Sequence, residues 1–317
     1  MAFESTAARR APLSRENAGM LLGLVGVIIF SGSLPATRLA VRELDPLFVA
    51  LGRAVVAACC AAIALLAMRA PLPSRAQSRR LVVIAAGVVV GFPVFSSLAL
   101  RAVPSSHGAV INGLLPLATA IAGAWIGGER PSQRFWLAAG GGAAAVVGFA
   151  LVSNSGEAHL ADLLMLAALL LGAIGYAEGG RLSRELGGPQ TICWALLLAA
   201  PFLLPLAIWR APHDPSAISM SAWLSFGYVS LFSQFLGFFA WYRGLAIGGV
   251  ARVSQVQLLQ PLLALAIAAA LLHEIVSPLM IVVAGCVLVS ILVSRRAPIA
   301  VRGSGERDRQ PERQHDS

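Results

Sequence analysis

The chain has 317 residues, of which 57% are hydrophobic and 12% charged, with a mean hydropathy of +0.78. A soluble globular domain carries about 25% charged residues, so too little polar surface is present to cover a water-soluble body, and the composition indicates a polytopic membrane protein. The net charge is +9, all 24 basic residues are Arg, and they lie singly between apolar runs, which reads as a topology signal and not as a nucleic-acid surface.

Residues 1–18 are polar and read as a cytoplasmic N-terminal segment. Arg9-Arg10 before an apolar run suggests a twin-arginine signal, but the following context does not match one, and a first transmembrane helix is the better reading. Ten apolar runs follow, at 19–38, 47–68, 80–100, 104–126, 134–153, 160–181, 189–209, 221–242, 250–272 and 277–294. Most reach the roughly 20 residues a helix needs to cross the hydrocarbon core. Short connections carry turn or charge signals, such as Glu43-Leu44-Asp45-Pro46, Arg130-Pro131-Ser132 and Gly187-Gly188-Pro189. Cys59, Cys60, Cys193 and Cys286 lie within apolar runs and read as small apolar residues.

With the N-terminus inside, Arg69, Arg75, Arg79, Arg80, Arg130, Arg134, Arg181, Arg184, Arg243, Arg252, Arg295 and Arg296 all fall on the inner side. The outer segments hold only Arg38, Arg42, Arg101 and Arg210. The asymmetry places both termini in the cytoplasm, with 295–317 as a disordered tail.

One stretch occurs twice. Pro104 through Pro116 to Glu129 matches Gly249 through Pro261 to Glu274 at an offset of 145 residues, which maps Asn112 onto Gln257. A second match, Arg38-Leu39…Glu43-Leu44…Pro46 with Arg181-Leu182…Glu185-Leu186…Pro189, has an offset of 143 at its first pair. Ten spans then divide into two repeats, 19–153 and 160–294. A unit with an odd number of spans reverses direction when it recurs, so the expected fold is an all-α integral membrane protein of ten transmembrane helices built as two inverted five-helix repeats.

These features resemble the drug/metabolite transporter superfamily, specifically EamA-type transporters with two repeated domains. The resemblance is carried by Phe30-Ser31-Gly32-Ser33 with Arg38, by Pro46…Arg53, by Leu98-Ala99-Leu100-Arg101-Ala102-Val103-Pro104, and by Pro116…Gly128-Glu129-Arg130-Pro131. Pro261…His273-Glu274 repeats the last of these, except that His273 replaces the glycine and no Arg-Pro follows. The resemblance covers about residues 18–296 and implies a basket-like inner-membrane carrier whose relatives mostly export amino acids, related metabolites or toxic compounds.

Alternating access needs a few polar side chains near the midplane. Asn112 and Gln257 lie within their helices at repeat-related positions and suit either substrate contact or an interhelical hydrogen bond. Gln255 and Gln260 point to other faces and rank lower. Pro116 and Pro261 each free a carbonyl one turn upstream and are candidate flexing points. Arg53, two turns into its span, would cost at least about 2.5–3.5 kcal/mol to bury alone; it is a candidate for an anionic substrate group or a structural tie to Glu43 or Asp45. Tyr176 is a candidate cavity residue, whereas Trp241 and Tyr242 beside Arg243 read as an interfacial belt. His107 and Glu178 are candidates for proton coupling, although Glu178 one turn before Arg181 also reads as an interfacial ion pair.

No phosphate loop, metal-ligand spacing or nucleophile turn is present, so the reading includes no catalytic residue, cofactor or metal and is not an enzyme. The expected function is secondary active export of small metabolites, amino acids or related amphipathic compounds, by alternating access. Drug efflux or metabolite uptake is the alternative; an intramembrane enzyme or a sensor/scaffold is remote. The implied partners are a small-molecule substrate, the lipid bilayer and protons as the candidate coupling ion, with no nucleic acid. The chain is compatible with a monomer or a homodimer.

Overall fold

A backbone that crosses lipid has to satisfy its own N–H and C=O groups, so apolar runs of this length are forced into helices. The computed structural model describes residues 15–127, 129–153, 160–253, 256–257, 259–295 and 299–301. The polar N-terminal segment before Arg15, Gly128, Gln255 and most of the tail beyond Arg295 lie outside the described residues.

The described residues form ten spans. Span 1 is Arg15–Ser31 continued by Ser33–Val41, and span 2 is Pro46–Ala67. Span 3 is Arg75–Ile84, Ala85–Gly91 and Phe92–Ala102, and span 4 is Ser105–Asn112 and Leu115–Gly127. Spans 5, 6 and 7 are Gln133–Ser153, Leu160–Leu186 and Gly188–Trp209. Span 8 is Met220–Tyr228, Val229–Leu236 and Gly237–Gly248. Span 9 is Val250–Val253 and Leu259–Leu272, and span 10 is Pro278–Arg295. Seven of these are long and apolar enough to cross a membrane unaided, while spans 5, 9 and 10 supply shorter apolar cores. Spans 1, 3, 6 and 8 run several residues past their apolar runs because charged and capped ends extend the helix into the interface. Span 3, for example, starts at a capping box formed by Ser74 and Gln77.

The packing follows the repeat. Span 1 lies along span 8 and span 3 along span 6, two pairings that exchange when one half is mapped onto the other. Spans 2 and 7, 4 and 9, and 5 and 10 pair with their own counterparts. The backbone irregularities repeat as well. Spans 3 and 8 each contain a π-helical segment, Ala85–Gly91 and Val229–Leu236, whose starts are 144 residues apart. Pro93 follows the first; its missing N–H and its ring cannot be accommodated in an unbroken α-helix, and the widened turn relieves this. Spans 4 and 9 are each built of two helical pieces, and Pro116 and Pro261 fall in the first turn of Leu115–Gly127 and Leu259–Leu272, where a missing N–H leaves no bond unmade.

Close approach of spans 1 and 8 depends on glycine. A Cβ on Gly19 would fall 2.6 Å from Gly248 Cα, and one on Gly244 would fall 2.8 Å from the Gly19 carbonyl oxygen. Gly140 meets nothing within 4 Å. Outside the helices, three residues of the tail, Ile299–Val301, pair antiparallel with Glu129–Pro131.

Polar ties between spans gather at the two ends of the bundle. At one end, Arg80 of span 3 pairs with Glu178 and, at 2.5 Å, with Glu185 of span 6, and Arg181 donates to the Ile126 carbonyl. At the other end, Arg38 donates to the Leu100 and Arg101 carbonyls at 2.5 and 2.9 Å. There the Glu274 carboxylate accepts from Ser105 N at 3.0 Å and Ser106 N at 2.8 Å. His273, the residue in the place of the glycine, has φ 52°. It follows the last residue of span 9, so it occupies the left-handed position that ends many helices and favours glycine. Glu43 accepts from Ser219 N and Oγ at 2.7 and 2.6 Å. Those bonds, the hydroxyl's first, hold its carboxyl below the ordinary 4.5.

Gly19→Val is expected to cost at least about 1–3 kcal/mol through overpacking, while Gly140→Ala stays within about 0.5 kcal/mol; melting of the purified protein in detergent distinguishes them. His273→Gly should raise stability by up to about 1 kcal/mol by removing a left-handed side-chain penalty, and a lower Tm would contradict this account of the turn. Glu43→Ala should lower the Tm by a few degrees at most at pH 7. A depressed carboxylate stabilises above its unfolded pKa and loses this as pH falls through its folded one, so the gap should close below pH 4.5. A gap unchanged from neutral to strongly acid pH would refute the assignment.

Candidate functional site

Span 2 begins at a cap. Asp45 Oδ1 accepts from Leu47 N at 2.8 Å and Phe48 N at 3.1 Å, and Pro46 takes a position that needs no N–H. From that fixed start, Val49, Ala50, Arg53, Ala57 and Ala61 fall on one buried stripe. Arg53 is thereby directed inward, 3% exposed, among alanines small enough to admit it. Its Nη2 donates to Ser233 Oγ at 2.8 Å, and Ser233 Oγ lies 2.6 Å from Ser33 Oγ. The tie to Glu43 or Asp45 that the sequence offered is not made, because both carboxylates serve helix ends at the surface.

The other components come from the irregular segments. Gln234, on the π-segment of span 8, donates through Nε2 to the Val88 carbonyl on the π-segment of span 3 at 3.1 Å. Span 1 is interrupted at Gly32, where Tyr228 donates its hydroxyl to the Ile29 carbonyl at 2.6 Å. Ser33 follows that interruption. Tyr176 on span 6 stands in an aromatic cluster, with ring centroids 6.1 Å from Phe30, 5.8 Å from Phe238 and 5.4 Å from Trp241. Together these side chains enclose a central cavity lined by Phe30, Ser33, Arg53, Tyr176, Ser233 and Gln234, with Leu34, Val88, Phe92, Phe238 and Gln260 completing it. Its free space is about 20 Å³, on the order of one water, so this conformation is nearly closed around Arg53.

The remaining candidates lie elsewhere. Asn112 is the last residue before the interruption of span 4, 4% exposed, with no hydrogen-bond partner for Oδ1. Gln257 is fully buried, and neither of its amide atoms has a partner. Neither lines the cavity. Both flank the crossing of spans 4 and 9, where a Cβ on Gly113 would sit 3.4 Å from the Pro261 ring. Glu178 pairs with Arg80 across the repeats and not with Arg181 one turn away. His107 is buried, with Nε2 2.7 Å from Asp162 Oδ1 and its ring 5.1 Å from Phe149. Trp241 and Tyr242 are fully buried behind the cavity and form no interfacial belt.

Sequence reasoning reached Arg53 and Tyr176, and it missed Ser33, Ser233, Gln234 and the inward placement of Gln260. The overlooked signal was Ser230, Ser233 and Gln234 within the apolar run of span 8, all buried. Their i, i+3, i+4 spacing puts them on one helix face, a polar stripe in an otherwise apolar run.

Comparison with known proteins agrees with the two-repeat architecture. The EamA-like transporter family model matches twice, at residues 17–152 and 159–296. "Uncharacterized transporter YdeK" of Bacillus subtilis (strain 168) is 47% identical over 284 residues, covering 90% of this chain and 99% of that protein. A "Probable terminal-alkyne amino-acid exporter" of Streptantibioticus cattleyicolor is 26% identical over 278 residues, covering 83% of this chain and 90% of the other. A protein of known crystal structure shares the fold, with a TM-score of 0.66 at 19% identity over 89% of this chain and 99% of its own. Two family matches that span nearly every membrane helix, with the repeated packing and the relatives, establish that the chain belongs to the EamA-like transporter family.

Proposed function

We propose that this transporter is a plasma-membrane secondary carrier that exports small amphipathic metabolites, amino acids among them, by alternating access, with both termini in the cytoplasm. The observation that carries this reading is the polar cavity buried at mid-span and walled by helices from both repeats, with Arg53 and Tyr176 in its wall. In this reading such a site reaches either face when one set of terminal ties opens. The similarity to an amino-acid exporter supports the substrate class, and the distribution of arginines supports the orientation.

Asn112 and Gln257 carry free amide atoms in spans 4 and 9. In this proposal they meet the substrate when those spans part. His107 with Asp162, at one end, and Glu178 with Arg80, at the other, are the groups available for proton coupling.

In proteoliposomes, counterflow of labelled amino acids and related metabolites should depend on the protein. Asn112→Ala with Gln257→Ala should lower the rate or apparent affinity for the transported solute by roughly tenfold, the loss expected for buried polar contacts. Unchanged rate and affinity would remove both amides from the site, and absence of any protein-dependent solute movement would overturn the carrier reading.

A further inference from the structure

Resting on the assignment of the central cavity as the substrate site, we propose that the carrier selects a monocarboxylate with an apolar body, zwitterionic amino acids included, and rejects organic cations that lack a carboxylate. The substrate carboxylate pairs with Arg53, and its body packs on the aromatic wall.

The charge balance of the cavity leads to this. Arg53 is buried with one guanidinium bond, to Ser233, assigned to Nη2, and its Nε has no acceptor. Among the described residues, no carboxylate lines the cavity. Seven acidic side chains have partners away from the cavity. Glu178 and Glu185 hold Arg80, and Asp162 faces His107. Glu274 caps the start of span 4, Glu43 holds Ser219, Asp45 caps span 2, and Asp214 accepts from Ser216. The three residues of span 9 outside the described set, at 254, 255 and 258, are Ser, Gln and Leu. A buried cation is stable only when an opposite charge and good hydrogen bonds compensate it, and the protein offers Arg53 the hydroxyl but not the charge. The guanidinium fork matches a carboxylate in two parallel bonds, so the missing component is one the cargo brings.

The rest of the wall defines what the carboxylate is attached to. Phe30, Phe92, Tyr176 and Phe238 present aromatic surface to the same space. With Gln234 Nε2 committed to Val88, its carbonyl oxygen remains as a neutral acceptor, and the Ser33 hydroxyl is another. These can receive an ammonium that arrives with its own carboxylate. An ammonium alone would meet the unopposed charge of Arg53. One guanidinium balances one carboxylate, so dianions are left with an excess charge.

The test uses a matched set of probes at pH 7: phenylalanine, 3-phenylpropanoate, 3-phenylpropanamide and 3-phenylpropylamine. Equilibrium binding to the purified full chain is measured by calorimetry. The two carboxylates should bind about 10- to 100-fold more tightly than the amide and the amine, the range for charge-assisted bonds in a buried site. Arg53→Gln should abolish that preference, and Arg53→Lys should retain it at reduced size. Amide or amine binding as tight as the carboxylates, binding by none of the four, or an Arg53→Gln protein with its preference intact would each overturn the proposal. If Arg53→Gln does not fold, the wild-type order of affinities decides alone. A counterflow screen over a wider panel separates the two readings. Movement of cations or sugars only would sink the carboxylate proposal and leave the carrier standing. Carboxylate-selective binding with no movement of any solute would do the reverse.

Discussion

The governing constraint is that a backbone in lipid has no water to satisfy it, so every departure from the α-helix has to be buried and paired within the protein. This chain departs from it in spans 1, 3, 4 and 8. The departures in spans 1, 3 and 8 surround the cavity and are held by side chains. Tyr228 covers the Ile29 carbonyl at the interruption of span 1. Gln234 on one π-segment covers Val88 on the other. One of them, Gln234, also lines the cavity that holds Arg53. A cavity at mid-membrane is a consequence of bringing these segments together, since they are stable only where they face protein.

The two halves agree in backbone and differ in chemistry. The π-segments of spans 3 and 8 are repeat-related, but Ser233 and Gln234 in the second correspond to Val89 and Val90 in the first. Arg53 in span 2 corresponds to Leu196 in span 7, counted from the prolines that start each helix. Ser33 corresponds to Tyr176, and Gln260 to Leu115. Each polar group in the wall is matched by an apolar or aromatic one in the other half. The duplicated scaffold supplies the shape of the site, and the divergence of its halves gives one side the charge and hydroxyls and another the aromatic surface.

The difference between scaffold and chemistry also explains what could be read from the sequence. The ten spans, their pairing into repeats and their approximate bounds follow from hydropathy and from matched Pro and Glu positions, because burial in lipid acts on every residue of a helix. Arg53 was legible because an isolated charge in an apolar run is costly and demands a reason. Its partner was not, since Ser233 is 180 residues away and no local pattern announces which span it meets. Asn112 and Gln257 were conspicuous through the repeat, yet the fold places them at the crossing of spans 4 and 9 and Gln260 in the cavity. Helical spacing turns Gln260 away from the face of Gln257, and it is Gln260 that lines the cavity. Glu178 illustrates the same limit: Arg181 is its neighbour along the helix, but Arg80 reaches it from another span.

The ties at the two ends are of a different kind from those at the centre. Arg38 and Arg181 are repeat-related, and each donates to carbonyls at the C-terminal end of a helix, at opposite ends of the bundle. Such carbonyls carry partial negative charge and lack helical donors, so the arginines hold helix ends without requiring a carboxylate. Glu274 does the complementary thing at the start of span 4, where free N–H groups favour an anion. These contacts lie near the interfaces, where water can replace a broken bond, and opening one end costs far less than it would at mid-span. Arg53 has no such recourse, because its surroundings are protein and aromatic rings. Replaceable ties at both ends and an irreplaceable charge in the middle are what the proposed alternating presentation of one site to two faces requires.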